Sequence, residues 1–233
     1  MTQTFYARAG KRWLDAAAAF VGLIAMSPLF LLVALAIKIT SRGPVFFRQV
    51  RVGQFGKTFR IFKFRSMHVV TNADESLLTA AGDSRITAVG RLLRRTKADE
   101  FAQLLNVLAG DMSLVGPRPE VPKYVAAYSE EERQVLLAKP GITGPAAVKF
   151  VNEEELLAGQ PDIDTFYLNT LLPAKLALDL AYCANVRLLE DLKIILVTFG
   201  NVFFGTGGVT KPTLHGPGKQ NQKGMAQSAS DTL

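Results

Sequence analysis

The chain has 233 residues, net charge +7, and 48% hydrophobic residues; its pI is about 9.6 and its mean hydropathy +0.18. Such a balance favours a polyanionic partner: nucleic acid, an acidic membrane surface or phosphorylated substrates. One cysteine, Cys183, excludes an intrachain disulfide, and with only two histidines, His68 and His215, the chain is poor in zinc ligands.

After a short basic lead, Ala16–Ile37 runs 22 residues without a charge. At about 1.5 Å per residue that is roughly 33 Å of helix, enough to cross a bilayer core. The stretch is too long for the apolar region of a signal peptide, and Lys38-Ile39-Thr40 is no small-residue cleavage site, so a retained anchor is expected. Ser27-Pro28 interrupts it near the middle. Pro28 removes a backbone donor and crowds the carbonyl of Ile24, which the Ser27 hydroxyl can satisfy. Both flanks are basic. Arg8, Lys11 and Arg12 precede the segment, and Lys38 to Arg65 holds eight Lys and Arg with no Asp or Glu. Lys and Arg beside a membrane segment favour the cytoplasmic side. A re-entrant hairpin keeps both flanks there; a kinked spanning helix exports one of them. Charge alone leaves both open.

Gly43-Pro44 marks a turn. Val50–Val52 and Thr58–Phe64 read as strands of a hairpin around "GQFG". Residues 66–85 read as an irregular or helical surface loop. "DEFAQLLNVLAG" places Phe101, Leu104, Leu105 and Leu108 on one helical face, with Gly110 as C-cap. "LVGPRPEVP" and "KPGITG" read as loops, and Gly141 and Gly144 permit close backbone approach. Helices are expected at 121–138, 153–160 and across 161–204; the last, interrupted by Asp191 and Lys193, suits a membrane surface. "GTGG" (205–208) lacks the frame of a P-loop. Pro212–Leu233 reads as a disordered tail.

The stretch from Gly90 to Glu120 carries the chemistry. Arg91, Arg94, Arg95 and Lys97 lead into adjacent Asp99 and Glu100, and Arg118 follows between Pro117 and Pro119. Phosphoryl transfer needs cations around phosphate oxygens, and a carboxylate pair suits Mg²⁺ or a covalent nucleophile. Thr96 to Asp99 also matches a capping box, in which Asp99 only caps a helix. Lys63 and Arg65 share a strand face, either as a phosphate site or as a solvated edge.

These stretches together, with "GPVFFRQVRVGQFGKTFRIFKFRSM" and "KLALDLAYCANVRLLEDLKIILVTF", resemble the bacterial sugar transferases, the monotopic phosphoglycosyl transferases that start glycan assembly on polyprenyl phosphate. The resemblance covers most of 11–199. It implies a helix-dominated α/β protein: a re-entrant membrane hairpin broken at Ser27-Pro28 (1–42), a catalytic domain with a short β-hairpin and surface amphipathic helices (43–211), and a tail (212–233). It implies transfer of sugar-1-phosphate from a UDP-sugar to polyprenyl phosphate, at the cytoplasmic face of the inner membrane. Asp99 is then the nucleophile, Asp99 and Glu100 the Mg²⁺-binding dyad, and Lys63, Arg65, Arg94 and Arg118 the phosphate-binding residues. Nucleic acid is not an expected partner. The family usually has Leu-Pro after the dyad, a glutamine after the "GITG" loop and a serine near the C-terminal motif. Phe101-Ala102, Ala147 and Arg187 stand there instead. With no multi-span segment ahead of the hairpin, the chain resembles the minimal catalytic form. The rival expectation is a non-catalytic, membrane-anchored protein that binds anionic lipid or nucleic acid through its basic surface.

Overall fold

The computed structural model describes residues 6, 10–69, 78–79 and 83–204. Most of the basic lead, much of the loop expected at 66–85, the "GTGG" stretch and the C-terminal tail lie outside the described residues.

Helix α1 runs unbroken from Lys11 to Thr40, with Pro28 inside it, so the break expected at Ser27-Pro28 is absent from the helix. Ser27 Oγ donates to the carbonyl of Ile24 at 2.8 Å, so the acceptor freed by proline has a partner. Among the described residues, α1 is the one helix long and apolar enough to cross a membrane. Yet both its ends rest on the same protein body. Near the start, Ala19 is buried against Ile61, Val107 and Met112. Near the end, Ile37 is buried with Phe64, Leu93 and Ala102. Its flanking cations are tied down as well. Lys11 pairs with Asp191, and Arg12 donates to the carbonyls of Val107 (2.5 Å) and Leu108 (2.9 Å). Trp13, Val21, Leu31 and Leu32 stay exposed, an apolar surface far larger than a soluble body leaves in water.

Strands β1 (Phe46–Val52) and β2 (Thr58–Phe64) form the expected antiparallel hairpin, with Val52 opposite Thr58. The other edge of β2 meets a side chain. Asn106 Oδ1 accepts from the amide of Phe62, and Asn106 Nδ2 donates to the carbonyl of Arg60, both at 2.9 Å.

Helix α2 (Ala88–Arg95) precedes a 3-10 turn, Ala98–Gln103, and α3, Leu104–Ala109. Gly110 ends α3 in the left-handed region, as expected of a C-cap. The buried face differs from the apolar one read from sequence: Leu108 is exposed, while Asp99, Ala102, Gln103, Asn106 and Val107 are buried. The helical period is right and the phase is shifted, because Asn106 must turn inward to reach β2.

Strands β3 (Ser113–Val115) and β4 (Gly141–Thr143) pair in parallel where loops were expected. Their backbones nearly touch. A Cβ on Gly141 would lie 2.1 Å from Gly116 N, so no side chain fits. Helix α4 is a single turn, Pro122–Val125, and Glu132–Leu137 is 3-10, in place of one helix over 121–138. Then come α5 (Pro145–Lys149), α6 (Glu153–Ala158), α7 (Ile163–Phe166), a π-helical turn (Tyr167–Leu171), α8 (Leu172–Ala184) and α9 (Leu188–Phe204). They enclose the main core of Tyr124, Phe150, Leu157, Tyr167, Leu171 and Leu176. Asp191 does not merely interrupt α9. It is buried, and it accepts from Tyr182 Oη at 2.6 Å as well as from Lys11, which fastens α9 to α8 and α1.

Candidate active site

Three segments converge on one acidic pair. Helix α2 ends at Arg95, and the hydroxyl of Thr96, its C-cap, folds back onto the carbonyl of Leu92 at 2.9 Å. Lys97 then adopts a left-handed conformation (φ 53°), which swings the chain into the 3-10 turn. Thr96 therefore closes one helix rather than capping the next, and the capping-box alternative for Asp99 fails. Asp99 points into the protein, 5% exposed, and its Oδ1 has no hydrogen-bond partner among the described residues.

Glu100 is the paired member. Lys63 of β2 donates to Glu100 Oε1 at 2.7 Å, and Arg118, from the loop after β3, donates to the same oxygen at 3.1 Å. The environments push the two carboxyls apart. Burial raises the pKa of Asp99, and Lys63 and Arg94 offset that only in part. Burial acts on Glu100 too, but Lys63 and Arg118 outweigh it and hold the group well below the usual carboxylate range. Adjacent acids whose pKa values are pushed in opposite directions are a signature of divided chemical roles.

Arg94 lies in the last turn of α2. It donates to Glu154 at 2.5 Å, and Ser66 Oγ lies 3.5 Å from its other terminal nitrogen. Arg65 parts company with Lys63. Strand β2 ends at Phe64, and the Arg65 guanidinium turns to the end of α1, bonding the carbonyls of Arg42 (2.7 Å) and Ser41 (2.9 Å). Gly43 (φ +123°) makes room for it: a Cβ there would meet Arg65 Nη1 at 2.0 Å. The shared-face expectation thus holds for the strand and lapses one residue past it. Lys63, Asp99, Glu100 and Arg118 come together with Arg94 beside them; Arg65 anchors the fold.

A second set of charges, not singled out from the sequence, backs Arg118. Tyr167 donates to buried Glu120 at 2.5 Å. Arg51 lies 3.6 Å from Glu120 on the other side and donates to the carbonyl of Pro119 at 3.0 Å. Lys175 bonds Tyr167 Oη (3.0 Å) and Glu153 (3.0 Å). Burial works against the charge on Glu120, yet Lys175 and Arg51 win and lower its pKa. A lysine inside the apolar run "LLPAKLALDL" was the available signal, since a buried lysine needs a partner.

Among the described residues, no group of three or more His, Cys, Asp or Glu could hold a metal. Asp99 and Glu100 are a two-carboxylate set with one free buried oxygen. That fits Mg²⁺, which binds one or two carboxylates and completes its shell with water and substrate phosphate.

Fold and site together define a helix-dominated α/β protein with an apolar N-terminal helix and an acidic pair held among half-buried cations. The family model described as bacterial sugar transferase matches residues 6–205, and the chain belongs to that family. It is 41% identical over 199 residues to the UDP-glucose:undecaprenyl-phosphate glucose-1-phosphate transferase of Caulobacter vibrioides, covering 81% of this chain and 67% of the relative. The Escherichia coli protein of the same description is 37% identical over 195 residues, covering 81% of this chain. The uncharacterized sugar transferase EpsL of Bacillus subtilis is 36% identical over 197 residues, covering 84% of this chain and 89% of that one. The chain spans only 39% of the Escherichia coli relative's length.

Proposed function

We propose that the protein transfers sugar-1-phosphate from a UDP-sugar to polyprenyl phosphate, through residues within 43–211. The observation that carries the reading is Asp99: a buried carboxylate with an unpartnered oxygen, beside a Glu100 whose charge is fixed by Lys63 and Arg118. An oxygen of Asp99 attacks the β-phosphorus of the UDP-sugar. The bond to UMP breaks, UMP leaves with the electron pair, and the phosphosugar remains as an acyl-phosphate. An oxygen of polyprenyl phosphate then attacks the same phosphorus and releases the Asp99 carboxylate. Lys63, Arg94 and Arg118 supply positive charge around the transferring group. Asp99 and Glu100 would hold Mg²⁺, which neutralises phosphoryl charge when bound. The descriptions of the Caulobacter and Escherichia coli relatives support this substrate pair.

The same reading places α1 as a re-entrant element in the inner membrane, with the site at the cytoplasmic face. Support comes from the two ends of α1. Lys11 and Arg12 at one end, and Ser41 and Arg42 at the other, are all bonded to the same globular body. A spanning helix would carry one of these ends to the far side. Tags placed at Met1 and after Val69 should therefore label from one side of the membrane; opposite sides would sink the topology.

A binder of anionic lipid or nucleic acid is the competing class. Arg12, Arg51, Lys63, Arg65, Arg94, Arg118 and Lys175 are engaged by internal partners, which leaves fewer cations for such a surface. The decisive experiment supplies a panel of UDP-sugars to membranes containing the protein and measures UMP. An enzyme of this class releases UMP before polyprenyl phosphate is added, in an amount limited by the enzyme present. A pure binder releases none.

A further inference from the structure

The segments Val115-Gly116-Pro117-Arg118 and Thr143-Gly144-Pro145-Ala146 share a pattern. Each leaves one strand of the parallel pair, and Val115 stands opposite Thr143 in the register. The two Gly-Pro-X loops therefore depart side by side and in the same direction. They are also inseparable: a Cβ on Gly144 would lie 2.2 Å from the carbonyl oxygen of Gly116.

Beneath both loops sits Asp179 of α8, 3% exposed. The amide of Arg118 donates to Asp179 Oδ2 at 3.3 Å, and the amide of Ala146 donates to Asp179 Oδ1 at 3.3 Å. One carboxylate thus takes the equivalent N–H from each loop, one oxygen apiece. Pro117 and Pro119 have no N–H. The Arg118 amide is then the one backbone donor in the Pro-Arg-Pro triplet, while the carbonyls of Pro117 and Pro119 accept from the Gly141 amide (2.8 Å) and from Arg51 (3.0 Å).

A buried charge is costly unless something needs it. Lys175, the cation nearest in sequence on α8, is bonded to Glu153 and Tyr167 instead. If Asp179 only filled space, an apolar residue would serve the core better. We propose that Asp179 is a positioning residue for the transfer reaction: it fixes the two Gly-Pro-X loops together and so sets the backbone from which Arg118 reaches Glu100 and the substrate phosphate. The inference rests on the reading of Arg118 as a phosphate-binding residue. It adds that Arg118 is aimed through its own amide rather than by packing of its side chain. Misplacement of a binding group by about 1 Å can cost on the order of 100-fold in rate.

The test is a double-mutant cycle on the full-length protein in detergent or membranes, reading kcat/KM for UDP-sugar with UMP detection. Arg118→Met should lower kcat/KM by about 100-fold, the scale of a lost charge-assisted phosphate contact. Asp179→Asn keeps the shape but turns an NH₂ toward one of the two amides, and should lower it about 10-fold. In the Arg118→Met background, Asp179→Asn should cost less than about 3-fold, because its effect runs through Arg118. A full 10-fold further loss in that background would make Asp179 a general structural residue and overturn the proposal. Full activity in Arg118→Met would instead remove the phosphate-binding reading, and this inference with it. Hydrogen exchange on the unmodified protein gives a check independent of any variant's folding. The Arg118 amide, alone between two prolines, should exchange slowly; exchange at the rate of an exposed loop overturns the proposal.

Discussion

Replacing Asp99 by Asn separates chemistry from structure at one atom. The change removes a charge and one oxygen while keeping the size of the side chain. Two observations set the expected cost to folding. Asp99 Oδ1 has no hydrogen-bond partner among the described residues to lose. Burial also raises the carboxyl's pKa, so the charged form is held at a cost that a neutral amide escapes. The melting temperature should therefore stay within a few degrees of the parent or rise, given that about 1 kcal/mol corresponds to roughly 2–4 °C in a chain of this size. Turnover should behave otherwise. An amide cannot form the acyl-phosphate. A loss of ~1,000-fold or more is expected, about 4 kcal/mol of barrier at ~1.36 kcal/mol per decade. The assay pairs UMP release with thermal unfolding of the same preparation. Near-normal turnover in the Asn variant would refute the nucleophile assignment. So would strictly sequential kinetics with no UMP burst in the parent enzyme. A loss of activity that merely follows a loss of folded protein would refute the argument that the site holds Asp99 at a cost.

Activity should vanish in excess chelator and return with Mg²⁺, because the Asp99–Glu100 oxygens suit a hard cation; undiminished turnover in chelator excludes the metal. Asn106→Ala should destabilise the fold by about 2–3 kcal/mol, since it strips two hydrogen bonds and leaves the Phe62 amide and Arg60 carbonyl without a partner. Denaturant unfolding should show a lower midpoint at unchanged slope. Burial pushes Asp179 from 3.8 to about 6. Between those pH values the folded state holds a proton that the unfolded state lacks, so this group adds stability as pH falls through that window and loses it as pH rises through about 6. The parent should gain about 1 kcal/mol relative to Asp179→Asn between pH 7 and pH 5, measured by melting; a constant difference would place the folded-state pKa elsewhere.

Local sequence determined what depends on neighbours along the chain. The uncharged run Ala16–Ile37 had to be an apolar helix, and the Ser27 hydroxyl was close enough to serve the carbonyl that Pro28 frees. "GQFG" between two β-rich runs had to be a hairpin, and Gly110 had to stop a helix, because each needs only backbone conformations that adjacent residues dictate. The adjacency of Asp99 and Glu100 among cations was equally plain. Which side of each element faces inward was a different matter. Period is a local property, but burial depends on what stands opposite. The turn and helix over 98–109 bury Asp99, Gln103 and Asn106 rather than Leu108, because Asn106 meets the unpaired edge of β2, 46 residues away in sequence. Lys63 and Arg65, two residues apart, part because the strand ends between them and the end of α1 offers Arg65 free carbonyls. Strands β3 and β4, three residues each, carry too little pattern to be seen until their glycines bring the two backbones together. The opposite pKa shifts of Asp99 and Glu100 belong to the same class. They are set by how deeply each acid is buried and which cations reach it, and those cations arrive from β2, α2 and the loop after β3 only when the chain has folded.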